Sequence, residues 1–332
     1  MINAKVIGDA LEIQHRFQQA KPFRHVAVDG FLDEGVCTGL LRDFPAFDKR
    51  RAMNELGQVG RKAVFENVAS VSTGYRDFYR YINSREFLAA MSDLTGIPDL
   101  IADETLFGGG THENLEGQGL DVHVDFNIDE RRMLHRRVNL LVYLNHEWDE
   151  SWGGCIELHS DPWNSLLDER KGFAPLFNRA VIFETNEYSW HGFERIQLPE
   201  GKKHLSRKSF SIYLYTKDRP AEEVVAPHTT FYVPRPLPAS IVAGATLSEG
   251  DAQQVHVAVA SRDGLLRMYQ KLLVEKEQRL RDFMRLRQDG AASGHMGEYD
   301  VILSSRSWRL IMAIHRAKYR ARGWLRRLGF AR

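Results

Sequence analysis

A chain of 332 residues with 43% hydrophobic and 27% charged residues has the composition of a globular protein able to bury a sizeable core, as one large domain with an appendage or two modest domains. No apolar run approaches the ~18–20 residues of a membrane-spanning helix, Met1-Ile2-Asn3-Ala4-Lys5 lacks the layout of a secretory signal, and two cysteines, Cys37 and Cys155, cannot build a disulfide framework, so a reducing cytoplasm is expected. The net charge of +1 is unevenly placed: residues 301–332 carry nine Lys/Arg and no acid, behind a body of −8, which argues against a nucleic-acid enzyme and for a tail with its own partner.

Apolar residues at three- and four-residue spacing predict helices over 4–20 and 33–43, with a short strand over 23–28 between them. Asn83 and Glu86 stand at capping spacing for a helix that runs to about Leu94 and stops near Gly96. From Leu106 onward the pattern is that of strands: 120–126, 138–145, 155–159, 180–185, 189–196 and 209–216, separated by turns such as Gly153-Gly154. Short strands in series without intervening helices predict an antiparallel barrel or sandwich beneath a helical N-terminal third. Five of the eleven prolines fall in 219–238, a stretch expected to wrap or link. Residues 262–288 then place Leu266, Tyr269, Leu273, Lys276, Leu280 and Phe283 at heptad spacing, which predicts a coiled coil. After a break at 290–297, a basic amphipathic helix is expected over 303–330.

Strict alternation in Leu120–Phe126 puts Asp121, His123 and Asp125 on one face. An imidazole and a carboxylate two residues apart are two thirds of the facial triad that binds non-haem Fe(II) while leaving coordination positions open. The third ligand must come from a distant strand. His191, in Ser189-Trp190-His191-Gly192-Phe193, is the best candidate, because the glycine allows close backbone approach; His159, at a strand end, is its rival. In the next strand Arg207, Ser209, Ser211 and Tyr213 share a face, and an inward Arg with a Ser suits a dicarboxylate. Asn139 and Tyr143 share a face of the 138–145 strand, where Tyr143 either donates to the same carboxylate or is a core tyrosine.

The ordered set His123-x-Asp125, Tyr143-Leu144-Asn145, Gly153-Gly154, His191-Gly192, Arg207-x-Ser209 resembles the prolyl-4-hydroxylase-like 2-oxoglutarate/Fe(II) oxygenases, as does the opening Pro22–Leu32 strand; the resemblance covers about residues 20–217. It implies an α+β fold: a double-stranded β-helix, or jelly roll, with N-terminal covering helices and a separate C-terminal helical or coiled-coil extension. It also implies Fe(II) held by His123, Asp125 and His191. Arg207, Ser209, Tyr143 and Asn139 would serve 2-oxoglutarate, O2 would be the oxidant and ascorbate an auxiliary reductant. The long His191–Arg207 gap leaves Lys208 or Lys203 as a fallback anchor. The implied reaction is hydroxylation coupled to oxidative decarboxylation of 2-oxoglutarate.

The expected organisation is an oxygenase domain over 1–218, a Pro-rich wrapping linker over 219–254 and a helical extension over 255–332. Phe107, the Gly108–Gly110 run, His112, Asn127, Trp148, Trp152 and Trp163 are candidates to line a substrate cleft. Ile302–Leu310 resembles a short segment found at the C-terminus of bacterial surface-polysaccharide biosynthesis proteins. Together with Trp308 and Trp324 among nine cations, this implies a peripheral contact with the inner membrane through 303–330 and a glycan-precursor substrate. A peptidyl (prolyl) hydroxylase, a cupin-like isomerase and a pseudo-oxygenase scaffold are the alternatives. Self-association is expected through 262–288.

Overall fold

The computed structural model describes residues 1–46, 63–164, 166–234, 237 and 240–291. The expected 303–330 helix, the Ile302–Leu310 segment and residues 292–297 of the expected 290–297 break lie outside them, while residues 290 and 291 of that break continue the last helix of the described chain. Contacts divide the chain into two units, Met1–Glu223 with Pro227–Leu265, and Val224–Ala226 with Leu266–Arg332.

The first unit opens with helices α1 (Ala4–Gly8) and α2 (Ala10–Gln19), strand β1 (His25–Asp29) and helix α3 (Glu34–Arg42). Strand β2 (Ala63–Phe65) and helices α4 (Thr73–Ile82) and α5 (Arg85–Thr95) come next. Helix α4 has no counterpart in the expected elements. Ser72 accepts from the Tyr75 N–H to start it, and Tyr75, Phe78 and Ile82 form its buried face. The cap of α5 is also corrected: Ser84 accepts from the Phe87 N–H, while Asn83 donates its amide back to the Tyr79 carbonyl and closes α4. Gly96 ends α5 at a φ of +73°, where a side chain would be strained.

The described chain is completed by β3 (Ile101–Ala102), β4 (Gly110–Asn114), β5 (Leu120–Val124), β6 (Ile128–Asp129), β7 (Leu134–Tyr143), β8 (Ile156–His159), β9 (Arg170–Phe173), β10 (Arg179–Glu184), β11 (Trp190–Phe193), β12 (Arg207–Thr216), β13 (Phe231–Tyr232) and α6 (Glu249–Ala291). A large sheet runs β1-β10-β7-β12-β4-β2, with β3 and β6 at its margins, and a small sheet runs β13-β5-β11-β8-β9. Every pairing between these strands is antiparallel.

Alternation decides what each face of the large sheet meets. Val138, Leu140 and Val142 of β7, with Phe210, Ile212 and Leu214 of β12, join the main core with Phe78, Phe87 and Met91 of the helices. The other face sends Tyr143, Val181 and Phe183 against Ile156 and Leu158 of the small sheet. Helices therefore cover one side of the large sheet, and the space between the sheets is shared by this apolar cluster and buried polar groups such as Arg207, Ser209 and Ser211. The 219–238 stretch is not wholly irregular, since β13 pairs with β5. The second unit is described chiefly as residues 266–291 of α6, where Leu266, Leu273 and Leu280 are exposed.

Candidate metal and co-substrate site

Strands β5 and β11 are neighbours, with His191 directly opposite His123. The approach is close enough that a Cβ on Gly192 would lie 2.7 Å from the Leu120 carbonyl oxygen, which is why glycine follows His191. Asp125 lies one residue past the end of β5, and ligand atoms of His123, Asp125 and His191 all lie within 4.8 Å of one another. This is the one such cluster among the described residues. His159 is not part of it. Its place opposite Trp190 puts it on the other face of the small sheet, where Nδ1 lies 2.7 Å from Asp168.

Nδ1 of His123 lies 2.8 Å from the Asp121 carbonyl and Nδ1 of His191 lies 2.8 Å from the Ser189 carbonyl. A carbonyl only accepts, so each Nδ1 carries a proton, and in the neutral ring it is Nε2 that keeps the lone pair. These Nε2 atoms lie 3.7 and 3.5 Å from the Asp125 carboxylate oxygens. Burial pushes the Asp125 carboxyl up, but Arg136 foremost, then His191 and His123, hold it below the usual carboxylate range. Burial, with His123 alongside, brings His191 down to about 3. A neutral His191 imidazole and an ionised Asp125 carboxylate are protonation states a metal ion requires.

Arg136 is missing from the residues expected at the site. It lies 3.0 Å from Asp125 Oδ2 and is held between the rings of Tyr213 and Phe126, at 3.7 and 4.7 Å. Simple alternation would turn Arg136 away from Asn139. A register shift in β7 opposite Leu214/Tyr215 pairs Arg136 with Tyr215 and Val138 with Leu214, leaving Arg137 as the extra residue. That bulge brings Arg136 round to the Asn139 face. The run Arg136-Arg137 inside an otherwise apolar strand was the signal available in the sequence.

On β12 of the large sheet, Arg207 is buried. Its Nε donates to the Gly154 carbonyl at 2.6 Å, and a terminal nitrogen donates to the Tyr143 hydroxyl at 2.9 Å. The guanidinium faces the rings of Phe193 and Tyr143, and no carboxylate pairs with it among the described residues. A Cβ on Gly154, whose φ is +71°, would lie 3.3 Å from Arg207 Cδ and 3.0 Å from the Trp148 ring, so glycine makes room for the arginine. Ser209 is buried opposite Tyr143. Tyr143 is both a core tyrosine and the partner of Arg207.

Asn139 departs from its expected place. Four residues of strand, ~13 Å, separate it from Tyr143, and its amide donates to Asp125 Oδ2 at 2.8 Å rather than facing Arg207. Lys208 pairs with Glu113 at 3.3 Å and Lys203 pairs with Glu200, so neither fallback lies beside Tyr143. Of the expected lining residues, Trp148 packs with Phe193, Ile196 and Leu198, and Trp152 packs against that cluster. His112 lies 2.9 Å from Ser211 Oγ, and Asn127 accepts from the His228 N–H. Phe107 is 62% exposed with its edge on Phe126, and Trp163 is 64% exposed against Trp190.

Residues 110–215, about a third of the chain, match the family model described as the 2OG-Fe(II) oxygenase superfamily. The match takes in both histidines, Asp125, Tyr143 and Arg207, and the domain is that of a 2-oxoglutarate- and Fe(II)-dependent dioxygenase, which uses Fe(II), 2-oxoglutarate and O2. No curated protein matches the sequence. Among solved structures, a prolyl 4-hydroxylase from Phytophthora capsici is 17% identical, over 65% of this chain and 66% of that one, just under two thirds of its length, with a TM-score of 0.43. A Pseudomonas putida prolyl-4-hydroxylase is 15% identical over 63% of this chain and 99% of its own, at 0.39. HygX from Streptomyces hygroscopicus, solved with nickel and 2-oxoglutarate bound, is 13% identical over 63% and 91%, at 0.40.

Proposed function

With residues 110–215 as a 2OG-Fe(II) oxygenase domain, we propose that the two sheets are a jelly roll in which His123, Asp125 and His191 hold the iron, while Arg207, Tyr143 and Ser209 hold the distal carboxylate of 2-oxoglutarate. The observation that carries this reading is the buried guanidinium of Arg207. It stands in the same inter-sheet space as the histidines, hydrogen-bonded only to neutral oxygens. Burying a cation without an acid is costly, so the site suits an incoming anion. His123, Asp125 and His191 would hold an iron ion that would supply O2 activation coupled to decarboxylation of 2-oxoglutarate to succinate and CO2. The protein residues do the positioning. Arg136 and Asn139 both bond Asp125 Oδ2 and leave Oδ1 toward His123. The bonds from Nδ1 aim both imidazoles, and the rings of Phe183 and Phe193 pack against His191 and Arg207 respectively.

The substrate of the same reading is a glycan precursor or related small metabolite hydroxylated at the cytoplasmic face of a bacterial envelope. This rests on the resemblance of Ile302–Leu310 and on the basic end of the chain. A domain organisation of 1–218, 219–254 and 255–332, with self-association through 262–288 and lipid contact through 303–330, completes the proposal. No described helix is long and apolar enough to cross a membrane.

The test is anaerobic. Fe(II) and then 2-oxoglutarate are added to the apoprotein, with Asp125→Ala as control. A metal-to-ligand charge-transfer band that needs both additions and is absent from the variant is expected. Its absence from folded, iron-loaded protein would leave a cupin-like isomerase; failure to bind iron would leave a scaffold. Product analysis on sugars against peptides then separates glycan from prolyl hydroxylation.

A further inference from the structure

Beyond β12, past the end of the family match at residue 215, the chain turns back onto the candidate metal ligands. Arg219 starts the return. Its Nε donates to Glu223 at 3.0 Å, and its terminal nitrogens donate to the carbonyls of Arg136 and Thr185 at 3.3 and 2.8 Å. Farther on, the His228 N–H donates to Asn127 Oδ1 at 3.0 Å, while His228 Nε2 lies 2.8 Å from Glu187. His228 thereby joins the loop that leaves Asp125 to the loop that enters His191. Strand β13 then pairs with β5, placing Tyr232 opposite His123, and the Val233 N–H donates to the Val122 carbonyl at 2.7 Å. The Tyr232 ring stacks on the His123 imidazole with centroids 5.1 Å apart and planes at 29°.

A histidine side chain turns about two bonds. The bond from Nδ1 to the Asp121 carbonyl restrains His123 at one atom, and a ring stacked on its face restrains its plane. A ligand held in its bound orientation loses less freedom when the ion arrives, so the restraint adds to metal affinity. We infer that the returning segments 219–223 and 227–233 complete the metal centre and that Tyr232 is a positioning residue that fixes the plane of the His123 imidazole. The inference rests on the reading of His123, Asp125 and His191 as the metal site.

Co(II) titration of the full-length protein under anaerobic conditions, without 2-oxoglutarate, tests it through the visible d–d bands. Tyr232→Phe keeps the aromatic face and is expected to bind within about twofold of wild type. Tyr232→Leu keeps bulk without that face. It is expected to bind about tenfold more weakly, the lower end of what lost outer partners of metal ligands cost, and with altered band shape. Val233→Pro removes the donor to Val122 at the sheet edge and is expected to move in the same direction, which keeps the test open if Tyr232→Leu does not fold. Wild-type affinity and spectrum in Tyr232→Leu, or in Val233→Pro where it alone folds, would overturn the inference with the metal site intact. Wild type that takes up no Co(II) would overturn the metal site itself.

Discussion

Arg207 lies in a buried pocket with the Tyr143 hydroxyl, the Gly154 carbonyl and two ring faces, and with no acid beside it among the described residues. Its charge therefore costs stability until an anion arrives, and burial lowers its pKa accordingly. Arg207→Met is expected to raise the 2-oxoglutarate KM at least about tenfold, since a charge-assisted pair is worth roughly 1.5–3 kcal/mol. The same change should leave the apoprotein as stable as wild type, or more so, in urea. A loss of apoprotein stability would mean that the arginine is structural. Gly153 is constrained differently. At a φ of +69°, a Cβ there would meet the Arg195 carbonyl oxygen at 2.3 Å, so backbone rather than a flexible side chain blocks it. Gly153→Ala is expected to cost well over ~1 kcal/mol, read as a lower urea midpoint.

At the scale of elements, the β8–β9 hairpin is closed by a cluster on the face of the small sheet away from the metal ligands. His159 Nδ1 lies 2.7 Å from Asp168, which also accepts from the Asp161 N–H and pairs with Arg170. Burial lowers the His159 pKa, but hydrogen bonds and charge from Glu157 and Asp168 outweigh it, so the net shift is upward from 6.5. A raised histidine contributes stability that is whole below its unfolded pKa and is lost as pH rises through the folded value. Burial raises the Asp168 carboxyl, but His159, the Asp161 N–H and Arg170 hold it below its ordinary value, so its contribution is lost only as pH falls through that depressed value. Urea midpoints of wild type should thus decline above pH 6.5 by more than those of Asp168→Asn; parallel profiles would exclude the pair as the source. Elsewhere, Ser84→Ala should cost ~1 kcal/mol and Asn83→Ala should leave the α5 cap intact, because Ser84 is the residue that accepts from the Phe87 N–H.

At the scale of the whole molecule, the division at Leu265 separates the unit that carries the site from the remainder of α6 and the C-terminal residues. A chain ending at Leu265 is expected to retain the Fe(II)/2-oxoglutarate charge-transfer band, while its sedimentation or vesicle binding changes if the C-terminal residues serve assembly or lipid. Loss of the band would place an essential residue beyond 265.

The features legible in the sequence were those governed by short-range periodicity. Two-residue alternation placed His123 and Asp125 on one face, and Arg207 and Ser209 on one face, because pleating is local. The glycines were legible because a positive φ or a close approach admits little else. Pairing between distant strands decided the rest. It chose His191 over His159, because the two stand on opposite faces of the small sheet. A bulge turned Arg136 inward, and the length of β7 carried Asn139 to Asp125 instead of to Arg207. It also brought Tyr232, from a proline-rich stretch with no strand pattern, onto His123. Alternation reports which face a residue takes within its own strand. Which strand lies beside it, and in what register, is settled only when the two sheets close on each other, since the hydrogen bonds that fix it join residues far apart in the chain.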